Sequence, residues 1–279
     1  MRMQTTLAEL TLALRGRVEL ELKADIQVAA KAFGRQVRSA WLPGDPTIVN
    51  GDDAAAIPHG EEYVLFAAEG MRPEFVARDP WFAGYCSLMV NFSDIAAMGG
   101  RPWAVVDTLF LGDGPNHAVL EGMAAASRAY GVPIVGGHTA RVTGPTQLAV
   151  AVLGRAARLI SSYHAEPGQV LLAALDLRGS FRDNSGNFDA STRTPPAQLR
   201  AQLALLPELA EAGLVRAGKD VSMAGLCGTL LMLLETSGVG AYLELESVPA
   251  PPDVEPTRWL TAFPSFGYVL AVSPDVASQ

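Results

Sequence analysis

The chain has 279 residues, 49% of them apolar and 18% charged, which suits one large domain or two ordinary ones and is too apolar for a disordered chain. Its 21 basic and 29 acidic side chains leave a formal charge of −8, which argues against sequence-independent nucleic-acid binding through dense Lys and Arg. Two cysteines, Cys86 and Cys227, exclude a disulfide framework or a Cys-rich metal centre, and the charge-free run from Trp259 to Pro274 is shorter than the roughly 18 residues of a membrane span.

No apolar signal stretch follows Met1-Arg2-Met3-Gln4-Thr5-Thr6, so a cytoplasmic protein without a membrane segment is expected. Residues 5–42 read as helical, the second half patterned on Ile26, Ala29, Ala30, Phe33, Val37 and Trp41, until Leu42-Pro43-Gly44-Asp45-Pro46 breaks the pattern. Tyr63 to Ala68 reads as a buried strand. Asp79-Pro80 supplies an N-cap and a first helical proline for a helix that ends at Gly99-Gly100. A strand at Trp103–Leu111, a helix at Asn116–Tyr130 and strands at Val132–Val135 and Gln147–Leu153 complete a first α/β unit. After a strand at Val170–Leu175, the polar stretch 176–196 has the composition of a lid or substrate loop. A helix at Ala197–Ala212, a strand around Val215–Val221, a helix at Met223–Thr236 and strands near Ala241–Leu245 and Phe266–Val272 follow. The alternation predicts two α/β units joined near residue 156.

The chemistry lies in oxygen ligands set beside glycines. Within the apolar helix at 80–98, Ser87, Asn91 and Asp94 are spaced i, i+4, i+7 and share one stripe. A carboxylate buried there needs donors or a cation, so Asp94 belongs either to a structural network or to a metal or ligand site. Gly51-Asp52-Asp53 places adjacent carboxylates on a turn, and Glu69 ends the first buried strand. Gly136-Gly137-His138-Thr139 follows the strand at 132–135. Asp220 and Ser222 precede a helix start of the kind that holds phosphate. The common nucleotide motifs are absent, and only Lys23, Lys31 and Lys219 are available as lysines. Hard oxygen donors without His/Cys clusters favour Mg²⁺ over zinc, and so a nucleotide triphosphate held through metal.

Taken in order, Gly51-Asp52-Asp53-Ala54-Ala55, Asp79-Pro80, the block from Asn91-Phe92-Ser93-Asp94 through Met98-Gly99-Gly100-Arg101-Pro102, and Val135-Gly136-Gly137-His138-Thr139 resemble the aminoimidazole ribonucleotide (AIR) synthetase superfamily. Thiamine-monophosphate kinase and selenophosphate synthetase are among its members. The resemblance runs from about residue 44 onward. It implies a two-domain α/β fold of the α+β type, with mixed sheets and packed helices in each domain. Residues 1–156 would be the ATP/Mg-binding and dimerisation domain, and residues 157–279 a C-terminal domain that stops early. ATP and Mg²⁺ are expected at the domain and subunit junction of a homodimer.

By position, Asp52, Asp53, Glu69, Asp94 and Asp220 resemble the family's metal ligands, with Asp94 and Asp220 in catalytic roles. Gly51, Asp52, Asp53, Asn91, Gly136, Gly137, His138 and Ser222 would contact ATP. Three departures stand out. Ala67-Ala68 replaces the Thr-Thr pair before the carboxylate at 69, Met223-Ala224-Gly225 replaces the Asp-Gly after Ser222, and His138 stands where thiamine-monophosphate kinase has Asp. That kinase nevertheless shares the blocks best. Selenophosphate synthetase also has a Gly-Gly-His motif but uses a Cys or selenocysteine near its start, and no Cys precedes Cys86 here. Asp107 lies where AIR synthetase has Asp in a related strand, and Arg72, Arg101 and Arg141 are either substrate-anion contacts or surface arginines. The expected activity is ATP- and Mg²⁺-dependent phosphoryl transfer to a small, phosphorylated molecule. The alternative is a nucleotide-binding scaffold or regulator whose catalysis has lapsed.

Overall fold

Residues 6–23, 28–182 and 185–278 are described by the structure, a computed structural model. In chain order the first elements are α1 (Leu7–Arg15), α2 (Val18–Glu21), α3 (Val28–Phe33), β1 (Gln36–Arg38), β2 (Thr47–Val49), β3 (Ala55–His59), β4 (Glu62–Met71), α4 (Pro73–Arg78), α5 (Pro80–Ala97), β5 (Arg101–Leu111), α6 (Asn116–Tyr130), β6 (Ile134–Arg141) and β7 (Gln147–Ala156). Then come β8 (Val170–Leu175), β9 (Ser180–Phe181), β10 (Phe188–Asp189), α7 (Pro196–Glu211), β11 (Ala217–Asp220), α8 (Gly225–Ser237), α9 (Pro256–Leu260), β12 (Gly267–Val272) and α10 (Pro274–Ala277). No helix among the described residues is long and apolar enough to cross a membrane. The elements form two compact units, one of Gln36–Leu159 with Thr194–Gly213, the other of Met1–Arg35, Ile160–Arg193 and Leu214–Gln279.

In the unit built on residues 36–159, a five-stranded sheet has the order β3-β4-β7-β5-β6, antiparallel except for the parallel β5–β6 pair that α6 connects. Alternation along each strand turns Leu65 and Ala67, Val105 and Leu109, and Leu148, Val150 and Val152 toward the helices. The opposite face keeps Phe66, Val106 and Leu153 at 47%, 42% and 38% exposure. Helix α5 is apolar all round and is buried along nearly its whole length, as such a pattern requires. The Asp79 carboxylate caps it by accepting the Phe82 N–H at 3.2 Å, and Gly99, at φ 76°, ends it. Its contact with α6 depends on two glycines: a Cβ on Gly84 would stand 2.1 Å from the Val119 carbonyl oxygen, and one on Gly122 1.9 Å from that of Trp81. Helix α7 adds Leu199 and Leu203 to this core.

The other unit is built on a three-stranded antiparallel sheet of order β11-β12-β8. Its core centres on Phe188, Trp259 and Phe266, with ring centroids 5.0–5.3 Å apart, joined by Leu233, Val269 and Leu10 of α1. A capping box between Thr6 and Glu9 starts α1.

Most strands and helices fall where the sequence pattern places them, with four differences. Among its described residues, the stretch 5–42 holds three short helices followed by β1, because Gly16 and Gly34 interrupt it and Val37 pairs with Ile48 across the β1–β2 ladder; residues 5 and 24–27, Ile26 among them, lie outside the described residues. Strand β3 lacks a strong strand signal because it contains Pro58, which is tolerated at a sheet edge. The segment Ala241–Leu245 forms no strand; it follows Gly238 and Gly240 and finds no ladder partner among the described residues. Finally, the described residues of the polar stretch 176–196 include the short β9–β10 ribbon. Phe188 is 1% exposed, its N–H donates to the Phe263 carbonyl at 2.7 Å, and the Phe263 N–H donates to Gly186.

Candidate metal centre

The turn after β2 begins at Gly51, whose φ of 102° falls in the region that favours glycine. The Asp52 carboxylate accepts the Asp53 N–H at 3.0 Å, and Ala54, 3% exposed, anchors the turn in the core. That geometry presents Asp53 to Asp94 of α5, and carboxylate oxygens of the two come within 4.8 Å. Asp94 is 7% exposed. Two carboxylates this close repel each other unless a cation or a shared proton lies between them.

The stripe read from the sequence is present on α5. The Ser87 hydroxyl donates to the Gly84 carbonyl at 2.8 Å, and Asn91 Nδ2 donates to the Ser87 carbonyl at 2.8 Å. Asn91 is 0% exposed, and its Oδ1 accepts no hydrogen bond among the described residues. A buried amide oxygen left so costs about 1–3 kcal/mol, which a cation or its hydration would offset. Buried hard oxygens on a rigid helix and a tight turn fit Mg²⁺ better than zinc.

The other expected residues are placed as follows. Asp52 and Glu69 do not join Asp53 and Asp94 within that distance. Glu69 lies inside β4 rather than at its end, exposed and opposite Val150. Gly136, Gly137 and His138 lie inside β6 rather than after a strand, because β6 runs on beside β5 to Arg141. His138 is exposed, with the Phe110 ring 6.0 Å away at 64°.

Asp107 of β5 faces Gly137, where an added Cβ would lie 2.6 Å from the Asp107 carboxylate. Burial raises the Asp107 pKa above its ordinary value, against the opposing hydrogen bond from its own N–H. This packing was hidden in the sequence; its trace is the second glycine of Gly136-Gly137.

In the other unit, Asp220 ends β11 at 2% exposure, and Thr229 Oγ1 donates to its carbonyl while accepting the Ser222 N–H. Helix α8 then starts through Ala224 and Gly225, both at positive φ (73° and 63°). Of the arginines, Arg101 forms a bidentate pair with Glu211, which raises the guanidinium pKa and lowers that of the carboxyl. Arg72 pairs with Glu74 at 3.7 Å, and Arg141 is exposed at the end of β6. Burial pushes the Cys227 thiol up, away from thiolate chemistry.

Residues 51–156 match the family described as AIR synthase related protein, N-terminal domain, and residues 166–279 its C-terminal domain. The chain belongs to the AIR synthase related family. The protein sll0787 of Synechocystis is 45% identical over 270 residues, covering 96% of this chain and 83% of its own. Among solved structures, Thermotoga maritima PurL complexed with AMPPCP superposes with a TM-score of 0.73 at 24% identity, over 98% of this chain and 44% of PurL. AaThiL complexed with AMPPCP and TMP gives 0.64 at 17% identity, over 81% of this chain and 80% of AaThiL. Both likenesses establish the two-domain fold of the family for this chain, which spans less than half the length of that PurL.

Proposed function

We propose that this chain binds ATP with Mg²⁺ and transfers a phosphoryl group to a small, phosphorylated molecule. The observation that carries the reading is the Asp53–Asp94 carboxylate pair, together with the buried amide of Asn91 one helical turn before Asp94. Membership of the family and the nucleotide analogue in both PurL and AaThiL support it. Asp53 and Asp94 would hold the cation, which when bound supplies charge neutralisation for phosphate oxygens. The Gly51-Asp52 turn fixes Asp53, and the α5 backbone fixes Asp94 and Asn91, so little reorganisation is needed to bind. Asp52, Glu69, Gly136, Gly137 and His138 are proposed to contribute around the nucleotide. In the other unit, Asp220 and Ser222 beside the first turn of α8 are proposed to act on phosphate. A homodimer through the exposed apolar sheet face, in the cytoplasm, completes the proposal.

A second reading, nucleotide binding without turnover, is favoured by Ala67-Ala68 and Met223-Ala224-Gly225, which carry no hydroxyl or carboxylate. Thermal unfolding with and without ATP and Mg²⁺, together with ADP release on a panel of phosphorylated acceptors, separates the two. The enzyme reading expects stabilisation by ATP with Mg²⁺, abolished in Asp94→Asn, and acceptor-dependent ADP release. Stabilisation with no ADP release favours the second, and no stabilisation sinks both.

A further inference from the structure

We infer that Asn91 is a positioning residue that turns a neutral oxygen toward the divalent cation; this rests on the cation reading of Asp53 and Asp94. The amide cannot be reversed. Nδ2 donates to the Ser87 carbonyl, and exchanging the two ends would set oxygen against oxygen. The bond therefore fixes Oδ1 on the side of the amide away from Ser87. Asn91 and Asp94 are three residues apart on one helix, so they stand one turn apart on the same face. Fully buried and without a donor among the described residues, Oδ1 is an oxygen prepared for a ligand.

A neutral amide also has a charge consequence. It adds oxygen to the cation's surroundings without adding negative charge, so the polyphosphate of a nucleotide is not repelled. A carboxylate at this position would hold a bare cation more tightly and a cation–nucleotide complex less tightly. A residue that only supports the helix produces no such opposition.

The test is Mn²⁺ binding to the full chain, read from the free-ion electron paramagnetic resonance signal, with calorimetry of ATP binding in the presence of Mn²⁺. Wild type, Asn91→Leu, Asn91→Asp and Asp94→Asn are compared, and circular dichroism verifies folding. Asn91→Leu is expected to weaken Mn²⁺ binding about 10-fold or more, the usual effect of losing an outer partner of a metal site. Asn91→Asp is expected to tighten Mn²⁺ binding and to weaken ATP binding at saturating Mn²⁺. If Asn91→Leu binds Mn²⁺ as wild type does while Asp94→Asn loses it, the role of Asn91 is overturned and the cation site stands. Should Asn91→Asp bind Mn²⁺ more weakly than wild type, the role is likewise overturned. Absence of Mn²⁺ binding by the wild type overturns the cation reading itself.

Discussion

Asp107 shows how one half-buried carboxylate accounts for a neighbouring sequence motif. It lies in register with Gly137 on β6 and with Val150 on β7, and Val150 is in turn in register with Glu69 on β4. Only a residue without a side chain fits against the Asp107 carboxylate, so the second glycine of Gly136-Gly137 is required by packing. The same burial makes the carboxylate a source of pH dependence. Its native pKa is raised, so its stabilising contribution is complete below the unfolded-state value and is lost as pH rises through the native value. Asp107→Asn is therefore expected to raise Tm at pH 7, with the gain vanishing toward about pH 3, where both states are protonated. Melting curves of the two proteins across that range provide the check. The residue scale was partly legible in the sequence. The i, i+4, i+7 stripe of Ser87, Asn91 and Asp94 follows from helix geometry alone, whereas the Asp107–Gly137 contact needs the parallel register of β5 and β6, which no local pattern encodes.

At the scale of elements, α5 is the member on which the first core is organised. It lies against β4 and β7 on one side and α6 on the other, and its glycine at 84 and that of α6 at 122 let the two helix backbones meet. Alanine normally favours a helix over glycine by about 1 kcal/mol. Here the added methyl has backbone in its way on both helices, so Gly84→Ala and Gly122→Ala are each expected to destabilise by about 1–3 kcal/mol, the cost of overpacking. Urea unfolding midpoints measure this, and a stabilised variant would refute the contact. Helix α5, with its Asp79 cap, glycine stop and unbroken apolar run, could be read directly, and so could α6, which ends at Gly131. The N-terminal stretch could not, since its periodicity survives across Gly16 and Gly34 while the backbone does not. Strand β3 was hidden by Pro58, and the ribbon of β9 and β10 because Phe188 is stabilised by partners distant in sequence, the Trp259–Phe266 cluster.

For the molecule as a whole, the exposed sheet face carrying Phe66, Val106 and Leu153 is the feature that bears on assembly. Contiguous apolar surface of this kind marks interaction sites. If it joins two copies of the chain, Phe66→Asp is expected to convert a dimer to a monomer in sedimentation velocity, with the far-ultraviolet circular dichroism spectrum unchanged. A wild type that sediments as a monomer would remove the proposal. The discontinuous make-up of the two units has a consequence for biosynthesis. Leu10 belongs with Trp259 and Phe266, and Leu199 belongs with Leu65 and Val150. On the ribosome the first helix therefore emerges long before its core, and the strand β8 of one unit is made before the other unit has received α7. Neither unit can finish while the chain is still short, so the nascent protein must carry exposed leucines through most of its translation, the period in which holding chaperones act.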